Sequence, residues 1–214
     1  TLMSDLHTSI RNSSIWIIIR LIISLTVGAF VTVFIIRNLS VKDYGVYTVL
    51  YSMIAYVSVI ASFGIPSVFQ RFIPEALQKK EYSLIKILVF RGLMLRILLS
   101  AITVCVILLF HGPIGRLFKI EGFLGYFSIF AWGIVLYLEA VLLANVLHSL
   151  FLHKYSVIAS TIYTIFRGIS VFVLLNFGLG IKGVLLAEVA AWALWTFLQY
   201  YFYYINFAQP HTSS

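Results

Sequence analysis

The chain has 214 residues, of which 62% are apolar and only 10% charged, with a formal net charge of +8 from 15 Lys and Arg against 7 Asp and Glu. An ordinary soluble domain is about 45–50% apolar and about 25% charged, so a simple soluble enzyme, a disordered segment and a disulfide scaffold are all excluded. The basic balance does not mark a nucleic-acid surface, because the charges lie scattered between apolar runs; basic loops of a membrane protein account for them better.

A bilayer span takes about 20 apolar residues, and six such runs follow one another, at approximately 13–36, 44–63, 84–110, 123–147, 155–177 and 183–205. All are expected to be helices, since a lone strand in hydrocarbon leaves its backbone unpaired. The fold class is therefore all-α: an integral membrane protein, with residues 1–214 forming a single six-transmembrane-helix bundle. The first run, Ile15 to Ile36, exceeds a signal-peptide core of about 7–15 residues. It is expected to be the first span and not a cleaved leader. Polar Arg37 to Asp43 separates the first two spans. Gly64-Ile65-Pro66 stops the second, His111-Gly112-Pro113 stops the third, and Gly178-Leu179-Gly180 with Lys182 turns the fifth into the sixth. Cys105 sits in mid-run with no second thiol, and is expected to be a small buried hydrophobe.

Residues 64–83 interrupt this rhythm. Val68, Phe69, Phe72, Ile73, Ala76 and Leu77 share one helical face, and Gln70, Arg71, Gln78, Lys79 and Lys80 lie mostly off it. That spacing predicts a short interfacial helix over 67–82 with an irregularity near Pro74. Loop charge then sets the orientation. One side carries Arg11, Arg71, Lys79, Lys80, Lys86 and Lys154; the other carries Arg37, Lys42, Arg116, Lys119 and Lys182. The first side is the richer, and Arg20 and Arg91 can snorkel towards it, so both termini are expected to be cytoplasmic. An interfacial belt accounts for the aromatic end of the last span, Tyr200 to Tyr204.

Ionisable groups inside spans are costly and point to function. Arg20, Arg91, Arg96, Glu139, Arg167 and Glu188 fall there. At about 1.5 Å per residue, Arg20 lies about 10 Å in from the cytoplasmic end, and Arg96 and Arg167 about 15–18 Å in. Glu139 lies about 12 Å from that side. Arg91 is shallow enough to snorkel, and Glu188 is near the outer interface. Arg167 and Glu139, on consecutive antiparallel helices, are expected within reach of each other, as a structural pair or as a cavity wall. Arg20 and Arg96 have no carboxylate partner in view and are expected to line a water-filled, anion-attracting cavity. Four arginines against two glutamates suit a phosphate or diphosphate and suit an organic cation poorly. Tyr44, Tyr47 and Tyr51 share a face; they can pack or meet a sugar ring.

No catalytic set emerges. There is no phosphate-loop motif, His148 and His153 lack a zinc-protease spacing, and Gly178, Gly180 and Gly183 follow no strand. The expectation is no enzyme, no cofactor and no metal.

Two stretches carry a resemblance. Ile36-Arg37-Asn38-Leu39-Ser40-Val41-Lys42-Asp43-Tyr44-Gly45-Val46-Tyr47 is similar to the first-loop signature of polysaccharide and O-antigen flippases, Arg-x-Leu-x-x-x-Asp-Tyr-Gly-x-Tyr. Phe63-Gly64-Ile65-Pro66-Ser67, followed by Gln70-Arg71-Phe72-Ile73-Pro74-Glu75, resembles the glycine turn and Arg-aromatic-x-Pro-Glu motif found next in such proteins. Over about residues 36–86 the chain thus resembles the oligosaccharide-flippase branch of the multidrug/oligosaccharidyl-lipid/polysaccharide exporter superfamily. The resemblance implies one lobe of a MATE-like transporter of the cell inner membrane. It implies a lipid-diphosphate-linked oligosaccharide as substrate, moved by alternating access. It implies a diphosphate-binding role that Arg20, Arg96 and Arg167 are placed to meet; Glu139, from its depth in a span, is the fourth expected substrate-binding residue, and membrane lipids are the surrounding partner. The family has twelve to fourteen spans in two lobes, so a second lobe or a second copy of this chain would have to complete the cavity. A drug or cation exporter of the same superfamily, and a non-transporting scaffold subunit of a glycan-assembly complex, are the alternatives.

Overall fold

The motif after the first span turns out to be a helix cap. Ser40 Oγ accepts the backbone N–H of Asp43 at 3.1 Å and donates to Asp43 Oδ2 at 2.8 Å, a reciprocal arrangement that satisfies the exposed amides of a helix start. The computed structural model describes residues 21–62 and 64–209. Its helices are α1 Leu21–Asn38, α2 Val41–Ser62, α3 Ile65–Gln78, α4 Tyr82–Leu109, α5 His111–Leu117, α6 Phe123–Ser149, α7 His153–Asn176 and α8 Gly180–Tyr203, the last continued by a π-helical turn, Tyr204–Ala208. There is no strand among the described residues. Six helices, α1, α2, α4, α6, α7 and α8 with its π turn, are long and apolar enough to cross a membrane. Several begin two or three residues before the apolar run, because polar caps such as Ser40 and the left-handed Gly178 turn (φ 74°) lie outside the hydrocarbon. Lys42 Nζ meets Glu121 Oε2 at 2.7 Å and ties the start of α2 to the loop before α6. The ammonium holds the Glu121 carboxyl below its ordinary range, though a pair this exposed is readily screened.

α8 is the centre of the bundle. It packs along both α6 and α7, whereas α6 and α7 meet only slightly although they are consecutive. The shared core holds Phe127, Phe130 and Ile134 of α6, Val184, Leu185 and Trp192 of α8, and Leu50 and Val57 of α2. α6 and α8 come close because Gly133 has no side chain: a Cβ there would stand 2.7 Å from Trp192 Cε3 and from Val189 Cγ2. α1 lies on α7, where Val27 and Val31 face Gly168 and Phe34 meets Phe172 with ring centroids 5.1 Å apart.

α4 shows one buried stripe, Ile85, Val89, Gly92, Arg96, Ser100 and Val104, at the i+3/i+4 spacing of a helix face. The rest of it is apolar and exposed, including Phe90, Leu98, Ile102 and Val106, which is a lipid face. Cys105 is one step past the stripe and is exposed, contrary to the buried placement expected for it.

α3 lies across the end of this bundle. It starts at left-handed Gly64 (φ 77°) and buries Ile65, Phe69, Ile73 and Ala76 against Ile85 and Val89 of α4 and Leu142, Val146 and Leu147 of α6. The Phe69 ring occupies the space that a Gly92 side chain would need. The expected irregularity at Pro74 is absent, and the helix runs through it. Proline deprives the Gln70 carbonyl of its donor, but Gln70 is exposed, and the docked row on either side of Pro74 outweighs the lost bond. Val68 and Phe72, on the apolar face expected of an interfacial helix, are 42% and 44% exposed and turn away from the bundle.

This path puts α3 and α5 at opposite ends. Single cysteines replacing Lys79 and Lys119, in a Cys105→Ser background, should be modified from opposite sides of a sealed membrane by an impermeant maleimide. Modification of both from the same side would overturn the six-span path.

Candidate functional site

Arg167 of α7 is bound by Glu188 of α8 and not by Glu139. Its Nε reaches Glu188 Oε1 and Oε2 at 2.9 and 2.8 Å, and Nη2 reaches Oε1 at 2.6 Å and Tyr47 Oη at 3.3 Å. Tyr47 Oη in turn donates to Glu188 Oε1 at 2.9 Å. Glu188 is fully buried, which also corrects its expected place at the outer interface. The register explains both corrections. From the α7–α8 turn, Arg167 lies nine residues back and Glu188 eight residues on, so each is about 12–14 Å deep. Counted from the α6–α7 turn, Glu139 and Arg167 are four residues out of step, and α8 stands between their helices.

Arg167, with Glu188 buried behind it, forms one wall of a hydroxyl-lined cleft of about 440 Å³ between α1, α2 and α7. Thr32 of α1 and Thr48 and Ser52 of α2 line it with Tyr44, Tyr47, Tyr51 and Arg167. The three tyrosines form a ladder, with ring centroids 6.3 and 5.7 Å apart, that ends on Trp192, 6.3 Å from Tyr51. Ladder and cleft follow from the i, i+3, i+4 spacing on α2. The tyrosines were legible as a shared face, whereas Thr32, Thr48 and Ser52 gave no signal, since hydroxyls on apolar helices usually bond back to their own backbone. Here they do so, to the Gly28, Tyr44, Gly45 and Val49 carbonyls.

Arg96 and Glu139 are a separate constellation. Arg96 is 1% exposed on the buried stripe of α4, and its Nε and Nη1 have no hydrogen-bond partner among the described residues. The charge acting on it is that of Glu139 on α6, whose own Oε1 is likewise unpartnered. Glu139 lines a mostly apolar groove of about 430 Å³ between α4, α6 and α8, beside Met94, Ile97, Thr196 and Tyr200. Arg96 lines neither cavity. Arg20 lies outside the described residues. The structure therefore brings together Arg167, Glu188 and Tyr47, and sets Arg96 near Glu139; Arg167 belongs to the first group and Glu139 to the second. Among the described residues no three metal-binding side chains gather.

A bundle of six helices long and apolar enough to cross a membrane, with a hydroxyl-lined cleft that one arginine borders, is the architecture of a multi-pass membrane protein. The chain belongs to the polysaccharide biosynthesis protein family, which matches residues 10–214 and agrees with the flippase-like motifs of the first loop and α3. No curated protein and no solved structure matches the chain.

Proposed function

We propose that this lobe, as the whole transporter or as its N-terminal half, moves a lipid-diphosphate-linked oligosaccharide across the cell inner membrane by alternating access. Its termini face the cytoplasm, and a second lobe or a second copy closes the cavity. No bond is made or broken, and membrane lipids are the only other partner required. Family membership supports the polysaccharide role. The observation that carries the anionic substrate is Arg96: a guanidinium held inside the bundle with two unpartnered nitrogens is costly in a membrane, and a diphosphate supplies the oxygen geometry that arginine prefers. Glu139 supplies the nearby counter-charge to that guanidinium until α4 and α6 part and the substrate replaces it. Arg20 extends the same anion path, and Arg167, neutralised by Glu188, serves the glycan part of the substrate from the cleft wall. The internal Arg167–Glu188 pair favours the scaffold alternative on its own, but a scaffold has no use for a hydroxyl-lined cleft opening between its helices.

Leaflet transfer of the glycan lipid in a flippase-null strain tests this, with the protein in its full length. Arg96→Ala should lower transfer about 10- to 100-fold, the loss expected for one charged hydrogen-bonding group worth about 1.5–3 kcal/mol, at an unchanged membrane level. Arg96→Lys should keep part of the activity. Full transfer by Arg96→Ala would remove the anion role and shift the balance to the scaffold.

A further inference from the structure

We infer that the cleft between α1, α2 and α7 is a subsite for an uncharged sugar ring and not for the diphosphate. This inference rests on the transport proposal and assigns the two halves of its substrate to different places. The cleft's charge decides first. Arg167 is the one cation among its described lining residues, and both oxygens of Glu188 already hold it. The pair is close to neutral as seen from the cleft. A diphosphate entering here would meet a guanidinium already neutralised by the Glu188 carboxylate behind it and would have to compete with that bidentate contact.

The hydrogen-bonding inventory decides second. Tyr44 and Tyr51 make no hydrogen bond through their hydroxyls among the described residues, and Nη1 of Arg167 is used by neither Glu188 nor Tyr47. All three residues line the cleft and bring unused donors to its wall. Thr32, Thr48 and Ser52 donate to backbone carbonyls, so each hydroxyl oxygen keeps lone pairs and acts as an acceptor. A phosphate has oxygen acceptors to offer and nothing to give three acceptor walls. A sugar ring carries hydroxyls that both donate and accept, and its C–H face packs on an aromatic ring. Tyr51, 38% exposed and backed by Trp192, offers that ring. The volume, about 440 Å³, falls within the range of about 300–1,000 Å³ usual for small-molecule sites.

The test is protection of a cysteine placed in the cleft. Gly28 lines it, and a side chain there meets nothing within 4 Å, so Gly28→Cys in the Cys105→Ser full-length protein reports occupancy without removing a proposed contact. The probes are neutral methyl glycosides of glucose, galactose, mannose and N-acetylglucosamine, set against inorganic diphosphate. At least one glycoside should slow maleimide modification saturably, and diphosphate should not. Tyr51→Leu should raise the half-protecting concentration about tenfold, through the loss of one hydroxyl and one ring face; Tyr51→Phe, which keeps the ring, should raise it less. Protection by diphosphate alone, protection by nothing, or protection indifferent to Tyr51→Leu each overturns the inference. Glycoside protection without leaflet transfer would keep the sugar site and defeat the transport reading. Normal transfer with no glycoside protection would do the reverse.

Discussion

Glu188→Ala is expected to deplete the protein from the membrane, and Arg167→Met with Glu188→Leu is expected to restore it. The single change leaves the Arg167 guanidinium with three of its hydrogen bonds gone, in a position where the paired carboxylate was fully buried. Removing one partner of a buried pair costs about 3–5 kcal/mol, while replacing both by apolar groups of similar volume is often neutral or better. Tyr47 would also lose the acceptor of its hydroxyl, so the strain would spread to α2. The measurement is the amount of folded protein in detergent extracts and its midpoint on heating. A Glu188→Ala protein as stable as the parent would mean that water or another group reaches Arg167 freely. The double variant separates packing from transport. If Nη1 of Arg167 serves the substrate, the variant folds normally and transfers poorly; if the pair is purely structural, it folds and transfers normally.

The same pair shows how far the sequence carries. Spans and the surface helix were legible because hydrophobic length and helical periodicity are one-dimensional signals. The flippase-like motifs pointed to the family that residues 10–214 then matched. Partners were less legible, because they depend on which helices are neighbours. Consecutive helices α6 and α7 were natural candidates to pair, yet α8 separates them along most of their length, so Arg167 met Glu188 and Glu139 was left to Arg96. One signal was available: equal distance from the Gly178 turn places Arg167 opposite Glu188. The depth of a charge measured from the ends of an apolar run missed it, since α8 begins three residues before that run. Pro74 failed for a related reason. Local propensity argued for a break, but Phe69, Ile73 and Ala76 are anchored on α4 and α6, and that packing is invisible within the fourteen residues of α3.

Two glycines of α6 should respond to the same substitution with opposite signs. Gly125 is exposed, and a Cβ there meets nothing within 4 Å. Gly125→Ala should stabilise by about 0.8–1 kcal/mol, the helix-propensity difference between the two residues. Gly133→Ala gains the same propensity but sets its Cβ 2.7 Å from Trp192 Cε3, 2.8 Å from Cζ3 and 2.7 Å from Val189 Cγ2. Trp192 can shift only at the expense of its own packing: it is fully buried, edge-on to Phe130 and Tyr137 at 5.1 and 5.5 Å, with its indole N–H on Tyr163 Oη at 3.3 Å. Overpacking of a filled core costs about 1–3 kcal/mol, so Gly133→Ala should lower the thermal midpoint where Gly125→Ala raises it. Because Trp192 backs Tyr51, the displaced indole should also disturb the cleft, and cysteine modification at Gly28→Cys should change in the Gly133→Ala protein and stay constant in the Gly125→Ala protein. Shrinking the obstacle with Trp192→Phe should recover part of the loss in a double variant with Gly133→Ala, as expected for residues in contact. Equal shifts at the two glycines would show that α6 and α8 are not pressed together at this point, and the link from the helix interface to the cleft would fall with it.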